Sequence, residues 1–163
     1  PFGSDVIRNT RQNVKALGRS LMRALVTSYL AAALVMGVLD FIWLRATVNP
    51  IYQPALSAVL AEKPNMPAAI AFYLVYLAGV LIFAIRPALA DGDWKTALVK
   101  GALFGLFAYA TYDLTNLATL KVWSLKISLM DIAWGTVLTA AAASAGAAAA
   151  ERAHPHWPAP KPS

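Results

Sequence analysis

Four long apolar stretches dominate this chain and restrict the folds open to it. They cover residues 24–44, 67–85, 96–119 and 128–150. Each approaches or exceeds the ~20 residues that an α-helix needs to cross the hydrocarbon of a bilayer. Backbone N–H and C=O groups find no water there, so such a stretch must satisfy its own hydrogen bonds as a helix. We therefore predict an all-α membrane protein with four transmembrane helices in a bundle.

The composition excludes several functional classes. Of the 163 residues, 59% are apolar and 13% are charged, whereas a water-soluble domain has about 25% charged residues. This balance excludes a disordered chain and disfavours a soluble enzyme. The sequence has no cysteine, which excludes disulfides and thiolate metal sites, and no histidine lies in a predicted span to ligate haem. We predict no cofactor, no metal and no nucleic-acid partner.

The basic residues are distributed unevenly around the spans. Ten of the fourteen Lys and Arg residues precede the first span, flank the second connection or follow the last span, and four lie in the other two connections. Cytoplasmic loops carry the excess of positive charge in membrane proteins. Both termini are therefore predicted to be cytoplasmic, in a multi-pass protein of a bacterial inner membrane.

The chain divides into a basic arm at residues 1–23, a transmembrane domain at 24–150 and a proline-rich tail at 151–163. In the arm, the basic side chains are spaced by three and four residues: Arg8, Arg11, Lys15 and Arg19. A helix would place them on one face, opposite Val6, Val14, Leu17 and Leu21. This is the pattern of an amphipathic interfacial helix, which either anchors the chain to anionic lipid or docks on a partner protein.

The first connection, residues 45–66, is longer than a simple turn and contains three prolines. We expect Pro50, Pro54 and Pro64 to interrupt it, because proline removes a helix hydrogen bond. Residues 55–61 can form two turns of interfacial helix over the outer face of the bundle, or an ordinary surface connection.

Three aspartates lie near the outer ends of the predicted spans. They are Asp40, Asp113 and Asp131, and each is followed three residues later by a polar or aromatic residue: Trp43, Asn116 and Trp134 respectively. An ionised aspartate costs about 2.5–3.5 kcal/mol at the centre of a spanning helix. We predict that Asp40, Asp113, Asn116, Asp131 and Trp134 converge at one depth as a ligand- or ion-binding site.

This convergence leaves several chemistries open. The carboxylates can bind a hard cation, share or relay a proton, act in acid–base chemistry, or only stabilise the bundle through hydrogen bonds. No nucleophile or histidine completes a reaction centre, so no catalytic residue is predicted.

The third span has a face of small and polar residues at spacings of three and four. Gly101 and Gly105 begin it, and Tyr109, Asp113 and Asn116 continue it. Two small residues four apart allow close approach of a neighbouring helix. We therefore predict that Gly101 and Gly105 are helix-packing positions.

Several segments resemble a bacterial family of small inner-membrane proteins that carry a domain of unknown function. The segments are LDFIWL (39–44), EKPNMP (62–67), FYLVY (72–76), GLFAYATYDLTNLA (105–118) and DIAWG (131–135). The resemblance extends over residues 30–145 and implies a four-helix inner-membrane fold. It places Asp40, Asp113, Asn116, Asp131 and Trp134 in the family pattern and implies no established reaction.

Two functions from different classes follow from these patterns. The sequence favours a non-enzymatic accessory or structural subunit of a larger membrane complex of respiratory or photosynthetic type, with lipids and other membrane-protein subunits as partners. The alternative is a stand-alone lipid- or small-molecule-handling protein, a class that includes enzymes, which uses the outer-leaflet aspartates. The alternative predicts a polar cavity with the three aspartates within ~6 Å of one another.

Overall fold

The computed structural model describes residues 2–153, with side chains from residue 7 onward, and this part of the chain is helical without strands. Its elements, in chain order, are α1 (Phe2–Thr47), a π-helical turn (Val48–Tyr52), α2 (Gln53–Leu56), α3 (Met66–Val80), a second π-helical turn (Leu81–Ile85), α4 (Arg86–Asp91), α5 (Trp94–Thr119) and α6 (Leu125–Ala153). The all-α class is therefore confirmed.

Three helical segments are long and apolar enough to cross a membrane. They are Ile7–Leu56, Met66–Asp91 and Leu125–Ala153, within the described residues. Helix α5 is 26 residues long but is not among them, because Lys100, Asp113 and several Tyr and Thr side chains make it less apolar. The fourth span stays a prediction, as does the orientation of the termini.

The two π-helical turns explain how helices continue past prolines. The Gln53 N–H donates to the Val48 carbonyl, and the Arg86 N–H donates to the Leu81 carbonyl. A π-helical turn widens the backbone locally, which makes room for a proline ring where a regular α-helix would clash. The expectation is wrong for Pro50 and Pro54, because helix continues from α1 through the π-helical turn and α2 to Leu56. Pro64 lies in the non-helical segment before α3, as expected.

Helix α6 packs against both α1 and α5, and small residues set these close contacts. A Cβ atom on Gly101 would lie 2.7 Å from the Ala143 Cβ, and a Cβ on Gly105 would overlap the Gly135 carbonyl oxygen. On the other side of α6, a Cβ on Gly146 would lie 2.9 Å from the Ser28 carbonyl oxygen of α1. The buried core around these contacts is rich in alanine.

The predicted arm is the helical continuation of the first span. Helix α1 passes residues 23 and 24 without a break, so the arm does not form a separate helix. The side chains of Arg8, Arg11, Lys15 and Arg19 are exposed, and so are the apolar side chains of Val14 and Leu17. At the other terminus, α6 includes residues 151–153 of the predicted tail, and residues 154–163 lie outside the described residues.

Candidate functional site

A cavity of about 480 Å³ lies at the end of the bundle where α1 and α5 end and α6 begins. Two carboxylates, Asp40 and Asp131, and the amide of Asn116 line it. Six aromatic side chains form much of the remaining wall: Trp43, Tyr52, Tyr109, Tyr112, Trp123 and Trp134. Leu56 and Leu60, in and after α2, contribute part of the apolar surface. We call this space the Asp40–Asp131 cavity.

Two hydrogen-bond chains cross between α1 and α6 at this cavity. The Trp134 indole N–H donates to Asp40 Oδ1 at 3.3 Å. In the opposite direction, the Trp43 indole N–H donates to the Tyr52 hydroxyl at 3.3 Å, and that hydroxyl donates to Asp131 Oδ1. Each helix carries the sequence Asp-x-x-Trp, and the tryptophan of each motif is connected to the carboxylate of the other.

The rings of Trp43 and Trp134 stack on each other at the cavity wall. Their centroids are 4.5 Å apart and their planes differ by 6°. The helices α1 and α6 are antiparallel, since Ser28 meets Gly146 while Asp40 meets Trp134. Antiparallel packing of two Asp-x-x-Trp turns explains this reciprocal pairing, because each tryptophan then points toward the aspartate of the opposite helix.

A second tyrosine secures Asp40. The Tyr73 hydroxyl of α3 donates to Asp40 Oδ2, so the carboxylate accepts hydrogen bonds from α3 and from α6. Hydrogen bonds to a charged acceptor are stronger than those between neutral groups. Asp40 therefore connects three helical segments, and its side chain is held in a defined position at the cavity wall.

Asp113 is buried close to the cavity without contributing to its wall. Its side chain is 0% exposed, and neither carboxylate oxygen has a hydrogen-bond partner among the described residues. The adjacent Trp123 indole N–H donates to Ser128 Oγ at 3.1 Å. The same indole lies near the Asp113 carboxyl group and interacts favourably with its charged form. Asp131 is close enough to both Asp113 and Asp40 for electrostatic interaction, so three acidic side chains share this end of the bundle.

The structure brings most of the predicted site residues to one place. Asp40, Asn116, Asp131 and Trp134 line the cavity, whereas Asp113 is buried beside it. Within the part of the chain that the structure describes, no group of three or more His, Asp or Glu side chains is placed to hold a metal ion.

Sequence reasoning missed Tyr52 and Tyr73, the two hydroxyl donors to the site aspartates. Tyr73 stands in the FYLVY segment, one of the segments that carry the family resemblance, and its spacing from Asn65, the N-cap of α3, places it two turns into the helix. Tyr52 gives no comparable signal in the sequence. Its position depends on the π-helical turn Val48–Tyr52, which continues the helix beyond the end of α1.

Comparison with known families gives one match. The family model described as "Predicted membrane protein (DUF2177)" matches residues 25–148, which is most of the chain and includes every residue that lines the cavity. No curated protein and no solved structure matches significantly.

Proposed function

Since this chain belongs to the DUF2177 family of predicted membrane proteins, we propose that it is a multi-pass protein of a bacterial inner membrane that binds a lipid or small molecule in the Asp40–Asp131 cavity. The family carries no established reaction, so the proposal depends on this site. Ligand pockets of about 300–1,000 Å³ that combine apolar walls with a few fixed polar groups are typical of small-molecule binding.

The proposed topology has four spans, with both termini in the cytoplasm. Helix α5 packs along α6 through Gly101 and Gly105, which supports its crossing the membrane beside α6. The excess of Lys and Arg at the termini and in the second connection supports the orientation. The Asp40–Asp131 cavity then lies near the outer surface of the membrane.

One observation carries the binding function: polar side chains from three helical segments are fixed around an open volume. Trp134 and Tyr73 hold Asp40, and Tyr52 holds Asp131. Carboxylates that only stabilised a bundle would be expected to close the space between the helices. Here Asp40, Asp131, Trp134 and Tyr52 line a cavity large enough for an organic molecule.

Native mass spectrometry of the protein from its own membranes tests this function. We expect a bound molecule on the wild-type protein, and its loss in Leu60→Trp, because the larger side chain fills part of the cavity. Leu103→Trp is the matched control, since Leu103 is similarly exposed on α5 and does not line the cavity. An adduct retained equally in both variants would contradict the proposal.

A second candidate is the accessory or structural subunit of a larger membrane complex of respiratory or photosynthetic type. The exposed basic and apolar side chains of the arm, including Lys15, Val14 and Leu17, support it. Extraction of the endogenous protein in mild detergent discriminates the two. Migration with a large, defined assembly supports a subunit, whereas migration alone or as a small homo-oligomer contradicts it.

A further inference from the structure

The charge of the cavity wall narrows the class of ligand. Asp40 and Asp131 line the wall, and none of the Lys and Arg side chains that the structure describes does so. A concave site with walls of low dielectric constant focuses the field of such charges. An anionic headgroup would meet two carboxylates with no compensating cation, and a neutral molecule would leave their charges unbalanced.

The residue types that line the wall favour an organic cation over a metal ion as the ligand. Mg²⁺ and Ca²⁺ take six or more oxygen ligands, but this wall is mainly aromatic and aliphatic, with Asp40, Asn116 and Asp131 as its acidic and amide groups. The described residues also hold no cluster of three metal-ligating side chains. Aromatic faces beside a carboxylate are instead the usual surroundings of an ammonium group, which binds through cation–π attraction and charge.

The buried Asp113 adds a third acidic group behind this wall. Its carboxylate has no hydrogen-bond partner among the described residues, and it interacts electrostatically with Asp131. A positive charge beside Asp131 lowers the electrostatic cost of ionising both acidic groups. A cationic ligand therefore relieves an unfavourable interaction that a neutral ligand would leave in place.

We propose that the Asp40–Asp131 cavity binds an ammonium group, which lies between the two carboxylates and against the aromatic wall. This inference rests on the proposed binding function and deepens it. An ammonium group can come from a lipid headgroup, such as choline or ethanolamine, or from a free amine. The cavity volume of about 480 Å³ exceeds the size of the headgroup alone, so an attached chain can extend from it.

Equilibrium dialysis of the purified full chain tests the charge requirement. The probes are choline and 3,3-dimethylbutan-1-ol, which has the same shape as choline but carries a carbon in place of the charged nitrogen. We expect choline to bind at least tenfold more tightly. Equal binding of the two probes would overturn the ammonium assignment while leaving the binding function intact. If choline does not bind while native mass spectrometry still detects a neutral or anionic adduct, the ammonium assignment is overturned as well.

Variants locate the ammonium group. Asp131→Asn removes a charge but keeps an oxygen that can accept from Tyr52, and we expect it to weaken choline binding at least tenfold. Asp93→Asn is the matched control and should bind like the wild type, since Asp93 caps α5 at the opposite end of the bundle. Unchanged binding in Asp131→Asn would overturn the placement. If this variant does not fold, Asn116→Leu provides a second test at the cavity wall. We expect it to bind choline more weakly, and unchanged choline binding would contradict the placement.

A comparison in nanodiscs distinguishes the two sources of the ammonium group. Native mass spectrometry after reconstitution in phosphatidylethanolamine or phosphatidylcholine, against phosphatidylglycerol, measures retained lipid. Preferential retention of the ammonium lipids supports a lipid headgroup as the ligand. Choline binding in dialysis without lipid preference supports a free amine, and preferential retention of phosphatidylglycerol in the cavity would overturn the ammonium assignment.

Discussion

The same helices pack closely at one end of this bundle and leave a cavity open at the other. At the end away from the cavity, α5 contacts α6 through Gly101 and Ala143, and α1 contacts α6 at Gly146. The backbones there lie too close for an additional methyl group. At the cavity end, the same helices carry Trp43, Tyr109 and Trp134, and a volume of about 480 Å³ stays open between them. The first region is the closed end, and the second is the Asp40–Asp131 cavity.

The difference shows how a membrane helix bundle combines stability with an open site. No hydrophobic driving force acts between helices in lipid, so close packing of small residues supplies the association. With the helices held by this packing, the residues at the other end are not required to close the core. Crossed hydrogen bonds between α1 and α6, at Asp40 and Asp131, then fix the wall without filling the space.

The largest expected effect comes from adding one methyl group where α5 and α6 pack most closely. Gly105→Ala places a Cβ against the Gly135 carbonyl oxygen and within 2.6 Å of Thr139 Oγ1, so α5 and α6 must separate. We expect a loss of about 2–3 kcal/mol in the free energy of unfolding in detergent. Gly37→Ala is the control, because its added Cβ meets nothing within 4 Å beyond the adjacent backbone of its own helix. A similar loss in both variants would show that helix approach does not limit stability.

A change of opposite sign is expected at the buried carboxylate. Asp113→Asn keeps the shape of the side chain and removes an acidic group whose oxygens have no hydrogen-bond partner among the described residues. Burying an unpaired charge is unfavourable, so denaturant unfolding in detergent should show a gain of about 1–2 kcal/mol. Asp93→Asn should change stability by less than about 0.5 kcal/mol, because Asn is as good a helix cap as Asp. Destabilisation by Asp113→Asn would indicate that the carboxylate stabilises the bundle.

Removing the tyrosine hydroxyls tests how firmly the cavity wall is held. Tyr52→Phe and Tyr73→Phe each delete a donor to a site aspartate, and intramembrane hydrogen bonds contribute ~0.6 kcal/mol on average, up to ~1.7. We expect a loss in that range from each variant in the same unfolding assay. Tyr112→Phe is the control, since Tyr112 also lines the cavity but is 60% exposed. If all three variants behave alike, the hydroxyl donors do not hold the carboxylates.

The smallest effect on stability is expected in the arm. Replacing four of its five basic residues by Gln alters only exposed side chains: Arg8, Arg11, Lys15 and Arg19. The free energy of unfolding should change by less than about 0.5 kcal/mol, whereas a subunit role predicts that the protein leaves its assembly on a native gel. The control replaces by Gln three exposed lysines outside the arm: Lys63, Lys121 and Lys126. Unchanged migration of both variants would remove the arm as a docking element.

The helices were predictable from sequence, since each apolar run is bounded by charged or polar residues. The predicted third span, 96–119, corresponds to α5 at Trp94–Thr119, and the predicted fourth, 128–150, lies within α6 at Leu125–Ala153. The arm was less predictable, because helix formation does not stop where the apolar run starts. The chain therefore stays helical through residue 23 although the environment expected for its side chains changes there.

The sequence predicts the position of each site residue along its helix, but not the direction in which its side chain faces around the helix axis. Position along each span places Asp40 and Asp131 at one level, and they share a cavity. The same reasoning places Asp113 there, but the rotation of α5 buries it away from the cavity wall. The crossed pairing of the two Asp-x-x-Trp turns also depends on helix rotation. Tyr52 depends on the π-helical turn at Val48–Tyr52, which proline spacing alone does not predict.

The absence of cysteine from the sequence allows the contrast between the two ends to be measured directly. Single-cysteine variants Asn116→Cys, at the cavity wall, and Ala147→Cys, at the closed end, are exposed to a membrane-impermeant maleimide in intact cells. We predict labelling of Asn116→Cys from outside, slowed by a bound ammonium ligand, and no labelling of Ala147→Cys, whose site is 0% exposed. An unreactive Asn116→Cys, or equal labelling at both positions, would contradict an open outer cavity above a closed bundle.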